Sequence, residues 1–134
     1  MAAKSDYWEA QILNYFRGTA ITAAPANVYI ALFTAAPTDA GGGTEVTGGA
    51  YARVAVAVST ASWTAPTTAG VMSNAIAITF ATPTAAWGTV GWFGIFSALT
   101  AGNLYYHGAL TSTRSPLTGD PVSFPVSSLS ITEA

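Results

Sequence analysis

Groups able to do chemistry are few in this chain, and their spacing keeps them apart. His107 is the single histidine, so any Ser-His-Asp relay would have to run through it. It lies in a strand-like run beside Tyr105 and Tyr106, with Gly108 next, a setting for packing or interface contact rather than proton transfer. The serines add nothing, because no Gly-x-Ser-x-Gly turn is present to expose one as a nucleophile. Gly41-Gly42-Gly43 has the glycines of a phosphate cradle, but neither the lysine of a P-loop nor a following helix to offer backbone amides. Asp39 and Glu45 flank it, two carboxylates without the ligand spacing of a calcium loop. The other acids, Asp6, Glu9, Asp120 and Glu133, form no pair that spacing places together for glycosidase chemistry. Cysteine is absent, which excludes disulfides and thiolate metal sites. The expectation is no catalytic, cofactor-binding or metal-ligating residue: a structural component, not an enzyme.

The aromatic residues are the other candidates. Trp63, Trp87, Trp92 and Tyr51 need no charge to stack on a sugar, whereas stacking on bases normally comes with a positive groove. Four basic residues, Lys4, Arg17, Arg53 and Arg114, against six acids make no such groove and no polybasic patch for anionic lipid. Neither nucleic acid nor membrane is expected as a partner. The most concentrated apolar run is Ala86-Trp87-Gly88-Thr89-Val90-Gly91-Trp92-Phe93-Gly94-Ile95-Phe96, which carries no charge and must be buried in a sheet core or against a partner.

The elements that would position these groups can be read from local pattern. At the start, Asp6 with Glu9 three residues later suggests a helix N-cap, and both acids suit the positive end of its dipole. Trp8, Ile12, Tyr15 and Phe16 follow at helical spacing with Leu13 at the flank, and Gly18 is the stop. This aromatic face must dock on the chain's own sheet or on a neighbour. After Pro25 the chain turns to short β-type runs: Val28 to Phe33, Tyr51 to Val58, Ile76 to Phe80, Thr89 to Phe96, Leu104 to Leu110, Val122 to Val126 and Leu129 to Thr132. Thr100-Ala101-Gly102-Asn103 predicts a hairpin between two of them, and Ala40 to Gly49 reads as a long flexible loop. About seven or eight strands without a βαβ rhythm predict a mainly β fold, an antiparallel β-sandwich or jelly roll with one N-terminal α-helix. The expected organisation is a helical arm over residues 1–20 and one sandwich domain over 21–134.

Hydrophobic residues make up 51% of the 134 and charged ones 7%, with a net charge of -2. So few charges would leave a free monomer poorly protected against association, so much of the surface is expected to be covered by neighbours. No apolar run approaches the roughly 20 residues of a membrane span, and the N-terminus lacks the order of a signal peptide. Synthesis in a cytoplasm is the expectation.

Taken in order, several segments resemble a family of small bacteriophage virion proteins, variously head-decoration (cement), head-fibre or tail-fibre-like. They are Asn14 to Ala20, Val28 to Asp39, Glu45 to Arg53, Ser73-Asn74-Ala75, Trp87 to Val90, Phe93 to Phe96, Gly102 to Tyr105, Gly108-Ala109-Leu110 and Gly119-Asp120. Pro121, directly after the last of these, removes a backbone donor from the final pairing. The resemblance implies a β-rich virion subunit with no catalytic residues. It leaves open whether the subunit sits on the head or the tail; the leading expectation is a capsid-decoration subunit on the surface of the head, a homotrimer whose partners are the major capsid protein and copies of itself. The alternative is a tail or fibre-associated protein that binds host glycans. Trp8, Ile12, Phe16, Tyr51, Trp87 and Trp92 are the candidate interface residues.

Overall fold

In the computed structural model, which describes residues 2–133, ten strands and one helix form an antiparallel sandwich. The main layer is a six-stranded sheet. Its centre is β2 (Asn27–Ala35) beside β7 (Val90–Phe96) and β8 (Leu104–Arg114). β1 (Ala2–Lys4) pairs along β8 at one edge, and β3 (Thr44–Glu45) and β4 (Val54–Ala57) both pair with β2 at the other. The second layer is two ribbons, β5 (Val71–Ser73) with β10 (Ser130–Thr132) and β6 (Ile78–Thr79) with β9 (Ser123–Phe124).

Alternation decides which side chains lie between the layers. Ile30 and Leu32 of β2 and Phe93 and Ile95 of β7 point inward, and Ile78, Phe80, Leu129 and Ile131 meet them from the ribbons. Phe124 packs edge-on against Phe93 at 6.2 Å between ring centres. The opposite face of β2 and β7 presents Phe33 and Phe96, whose rings stack 6.1 Å apart. Gly94 makes that possible: a Cβ there would stand 2.8 Å from the Phe96 ring and 3.1 Å from Phe33. The glycine spacing of the Trp92-Phe93-Gly94-Ile95-Phe96 run is thus a packing requirement of the sheet's outer face.

The ribbons are joined by Asn74, which is fully buried. Its side-chain amide donates to the carbonyls of Ile76 and Pro125 at 2.8 and 2.9 Å, and its oxygen accepts from the Leu129 amide at 2.9 Å. One side chain therefore satisfies backbone groups from both ribbons, where an apolar residue would leave them orphaned.

The helix α1 spans Asp6–Phe16 and ends as its sequence predicts. Gly18 adopts φ +75°, and the amides of Gly18 and Thr19 return to the carbonyls of Tyr15 and Asn14, a Schellman closure. Its start differs from expectation. The N-cap is Ser5, not Asp6: the Ser5 hydroxyl accepts from the Trp8 amide at 3.2 Å, which places Glu9 one residue too late to complete a capping box. Ser5 is fixed there by the sheet, because its amide donates to the Tyr105 carbonyl at 2.9 Å and its hydroxyl donates to Leu104. The residues just before it form β1, an edge strand that three residues of Ala-Ala-Lys give no local reason to expect.

Other departures are smaller. Val58 and Ile76, the ends of two expected strands, lie outside β4 and β6 and are 40% and 42% exposed. The Ala40 to Gly49 segment is held rather than loose. Thr38 and Gly41 exchange backbone bonds at 2.8 and 2.9 Å, β3 adds to the sheet, and Val46 is buried.

Candidate functional site

The residues that sequence alone offered for chemistry are each tied to a neighbour. His107 Nε2 lies 2.8 Å from the Asp39 carboxylate, with the imidazole only 14% exposed. Asp39 also accepts the Asp6 amide through its backbone carbonyl at 2.9 Å. Among the described residues no serine or threonine hydroxyl bonds to the ring, so the pair joins β8 to the turn before β3 and to the helix start.

Glu45, the other carboxylate beside the triple glycine, has a different partner. It forms a two-pronged ion pair with Arg53, Nε to Oε1 at 2.8 Å and Nη2 to Oε2 at 2.9 Å. Arg53 Nη1 donates to the carbonyls of Ala98 and Ala101, and its guanidinium lies 3.8 Å over the Phe96 ring. A flat cation placed over an aromatic face and held by a fork of bonds is what arginine does better than lysine. This clamp roofs Phe33 and Phe96 on the sheet's outer face. The Tyr51 hydroxyl donates to Glu45 at 2.8 Å and accepts the Leu32 amide at 3.0 Å. Burial, and then the adjacent Glu45 charge, hold the Tyr51 phenol well above its usual titration range. Asp39 and Glu45 are committed to different partners, and no cluster of three metal-ligating side chains exists among the described residues.

The aromatic candidates separate into two groups. Trp87 is 4% exposed, its indole donating to the Gly49 carbonyl at 2.9 Å and its ring edge-on to Tyr51 at 5.4 Å. Trp63 is 9% exposed. Neither can present a ring face to a sugar or to another subunit, so Trp87 is corrected from an interface candidate to a core residue. Tyr51 is half-buried and committed to Glu45 and Leu32, and Trp92 is half-buried on the sheet's outer face.

The helix divides in the same way. Trp8 is half-buried against Tyr105 at 5.3 Å between ring centres, and its indole donates to the Tyr106 hydroxyl at 3.0 Å. Tyr106 in turn donates to Glu133, whose other oxygen lies 2.9 Å from Lys4, so strand, helix and C-terminal ribbon are tied at one point. Burial and the adjacent carboxylate raise the Tyr106 phenol above its usual range. Ile12 is partly covered. Phe16 is 80% exposed and Leu13 and Tyr15 are 66% exposed, with no helix residue fully buried. The single aromatic face read from the sequence is two faces: one docked on β8, the other bare. Helical spacing placed these residues on the helix but gave no sign of which stripe the sheet would take.

An apolar cavity of about 360 Å³ lies below Ala23 to Pro25, walled by Trp8, Val28, Trp63, Met72, Ile95 and Ile131. A second, of about 260 Å³, opens between β8 and the Pro116 to Ser130 segment. Neither contains a charged pair suited to acid-base work.

No curated protein matches the chain. A family model described as Podophage GP4 fiber I protein gp80 matches residues 3–132, nearly its whole length and both layers of the sandwich. The chain belongs to this family of phage fibre proteins, and so to the structural proteins of the phage virion.

Proposed function

We propose that the protein is a head-decoration subunit that binds the lattice of the major capsid protein and stabilises the filled head. The observation that carries this reading is the contrast between a closed interior and an apolar exterior. Each buried polar side-chain atom among the described residues has a partner, yet Leu13, Tyr15, Phe16, Ile21, Val58, Ile76, Leu99, Leu117 and Val126 stand exposed. From Val54 to Thr113 the chain has no Asp, Glu, Lys or Arg at all. Such a surface suits many modest contacts repeated over a symmetric shell, where avidity multiplies weak affinities. Several copies at each site, three in the expected homotrimer, fit the same logic. The role requires no catalytic step and no cofactor, and it places the protein on the capsid surface after synthesis in the host cytoplasm.

A binder of the assembled shell stabilises it by mass action at each site. Particles stripped of this protein should keep their shape but release DNA at lower temperature or under milder osmotic shock. Adding the purified protein back should restore resistance and saturate at a stoichiometry set by the shell's symmetry. If stripped particles are as robust as intact ones but fail to adsorb to cells, the protein acts as a fibre or tail component instead. The family's fibre description favours that second reading. Within it, burial of Trp63 and Trp87 leaves Trp92 as the remaining tryptophan of the three offered for glycan stacking.

A further inference from the structure

The cavity of about 260 Å³ has polar chemistry that the larger, apolar one lacks. It lies where β8 leaves its ladder. Between the Val90–Arg114 and Trp92–Ala109 pairs, β7 has one residue, Gly91, while β8 has four, residues 110–113. On the other edge of β8, β1 reaches only to Gly108, so among the described residues no strand pairs with this bulge. A bulge re-aims side chains out of the regular pleat. Here Thr111, Ser112 and Arg114 line the cleft, and Arg114 also lines an adjoining hollow of about 470 Å³ next to Asp120. Arg114 is the one base without a side-chain partner among the described residues: Lys4 pairs with Glu133, Arg53 with Glu45, and Arg17 donates to Asn14. The Asp120 carboxylate is instead bonded to the Leu117 amide at 2.8 Å. Ser128 spends its hydroxyl on the Pro125 carbonyl at 2.7 Å, whereas Thr111, Ser112 and Ser130 in the same cleft form no side-chain hydrogen bond among the described residues.

We propose that this cleft binds an acidic saccharide, a sugar ring that carries a carboxylate. The Arg114 guanidinium takes the carboxylate on two parallel N–H donors, a fork that arginine presents and lysine does not. Serine and threonine hydroxyls both donate and accept, which suits the hydroxyls of a sugar ring. Pro116 and the half-buried Phe124 line the same cleft and supply apolar surface for the ring's C–H face. A few polar groups over an apolar floor is the ordinary make-up of a small-ligand site. The charge selects among ligands. A phosphate dianion calls for more donors than one guanidinium, and neither a second base nor a helix N-terminus lines the cleft or the hollow beside it. A neutral sugar would leave the arginine unanswered. Arg114 is also the only Lys or Arg in the chain after Arg53, so the single positive charge of that long stretch stands at the bulge. The inference goes beyond the decoration role and does not depend on it, because the cleft belongs to one copy of the chain.

The test is an NMR titration of the purified full chain with glucuronate, galacturonate and N-acetylneuraminate, set against glucose, acetate and inorganic phosphate. At least one acidic sugar should bind saturably with a Kd of about 1 mM, a weak affinity suited to a single ring. The amide signals that move should be those of residues 110–116 and 122–130, with those of α1 unmoved. Glucose and acetate each carry half of the recognised group, and both, like phosphate, should bind roughly tenfold more weakly or not at all. Arg114→Gln should weaken the acidic sugar roughly tenfold, and Arg114→Lys less, since a point charge keeps the attraction but loses the fork. Arg17→Gln, a base removed elsewhere, should change nothing. Thermal melts of each variant, expected to match the wild type because Arg114 is exposed, separate a lost site from a lost fold. Absence of saturable binding by all of the acidic sugars would overturn the proposal. So would equal binding of glucose, acetate or phosphate, or an affinity unchanged in Arg114→Gln. The measurement contains neither capsid nor cell, so its failure is distinct from failure of the decoration role.

Discussion

Two apolar patches lie outside the sandwich core, and the fold treats them differently. On the sheet's outer face, Phe33 and Phe96 stack under the Arg53 guanidinium, which is forked to Glu45 and bonded to two loop carbonyls. On α1, Leu13 and Phe16 are exposed, and Asp6, Glu9 and Arg17 on the same helix form no ion pair among the described residues. The first patch is closed by the chain itself at the cost of a partly desolvated ion pair. The second stays exposed on the subunit. Exposed apolar area alone does not separate the two patches; the commitment of the neighbouring charges does.

The sharpest way to break this comparison is to unroof the first patch. Arg53→Met should cost about 3–4 kcal/mol, since it strands Glu45 with its charge unpaired and frees two carbonyls. Urea unfolding of the purified variant would read it, and a loss under 1 kcal/mol would show the clamp to be decoration. Trp8→Ala comes next, at about 2–3 kcal/mol. The ring is half-buried, and its loss removes an edge-on aromatic contact together with the bond to Tyr106. An unchanged unfolding midpoint would mean that the docked side of α1 contributes no more than the bare one.

Alkaline pH acts on the same side of the comparison. Burial and neighbouring carboxylates favour the neutral phenols of Tyr51 and Tyr106 in the folded state. The unfolded chain therefore loses these protons first, near the ordinary value of 10.0. Stability should be complete below that pH and fall as pH rises beyond it. Tyr51→Phe should flatten the decline, and an unaltered slope would remove Tyr51 from the account. The smallest effect belongs to the bare patch: Phe16→Ser should shift unfolding by about 0.5 kcal/mol or less, because an 80% exposed ring loses little burial. A shift above about 1.5 kcal/mol would mean that the ring is covered within the subunit, and the contrast between the two patches would collapse.

The class of the fold was legible because it rests on local pattern. Alternation of Val54, Ala55, Val56 and Ala57 against β2, the turn before Leu104 and the Gly18 stop all act within a few residues. The site was less legible. Reading Asp6 as the cap was reasonable chemistry, but Ser5 takes the position because Leu104 and Tyr105, about a hundred residues away, hold it. Tyr51 and Trp87 read as aromatics of a core or an interface, and nothing nearby in sequence announces that Phe80 stacks on the first and flanks the second.

By itself, then, the sequence determined a chain sparse in charge, with the strand rhythm of an antiparallel sandwich and a helix stopped at Gly18. Only the tertiary structure decided which aromatics the subunit keeps and which it offers. Propensity and periodicity are properties of neighbours along the chain, whereas burial is a property of neighbours in space. Trp8 and Phe16 share a helix and similar chemistry, yet β8 reaches one and not the other.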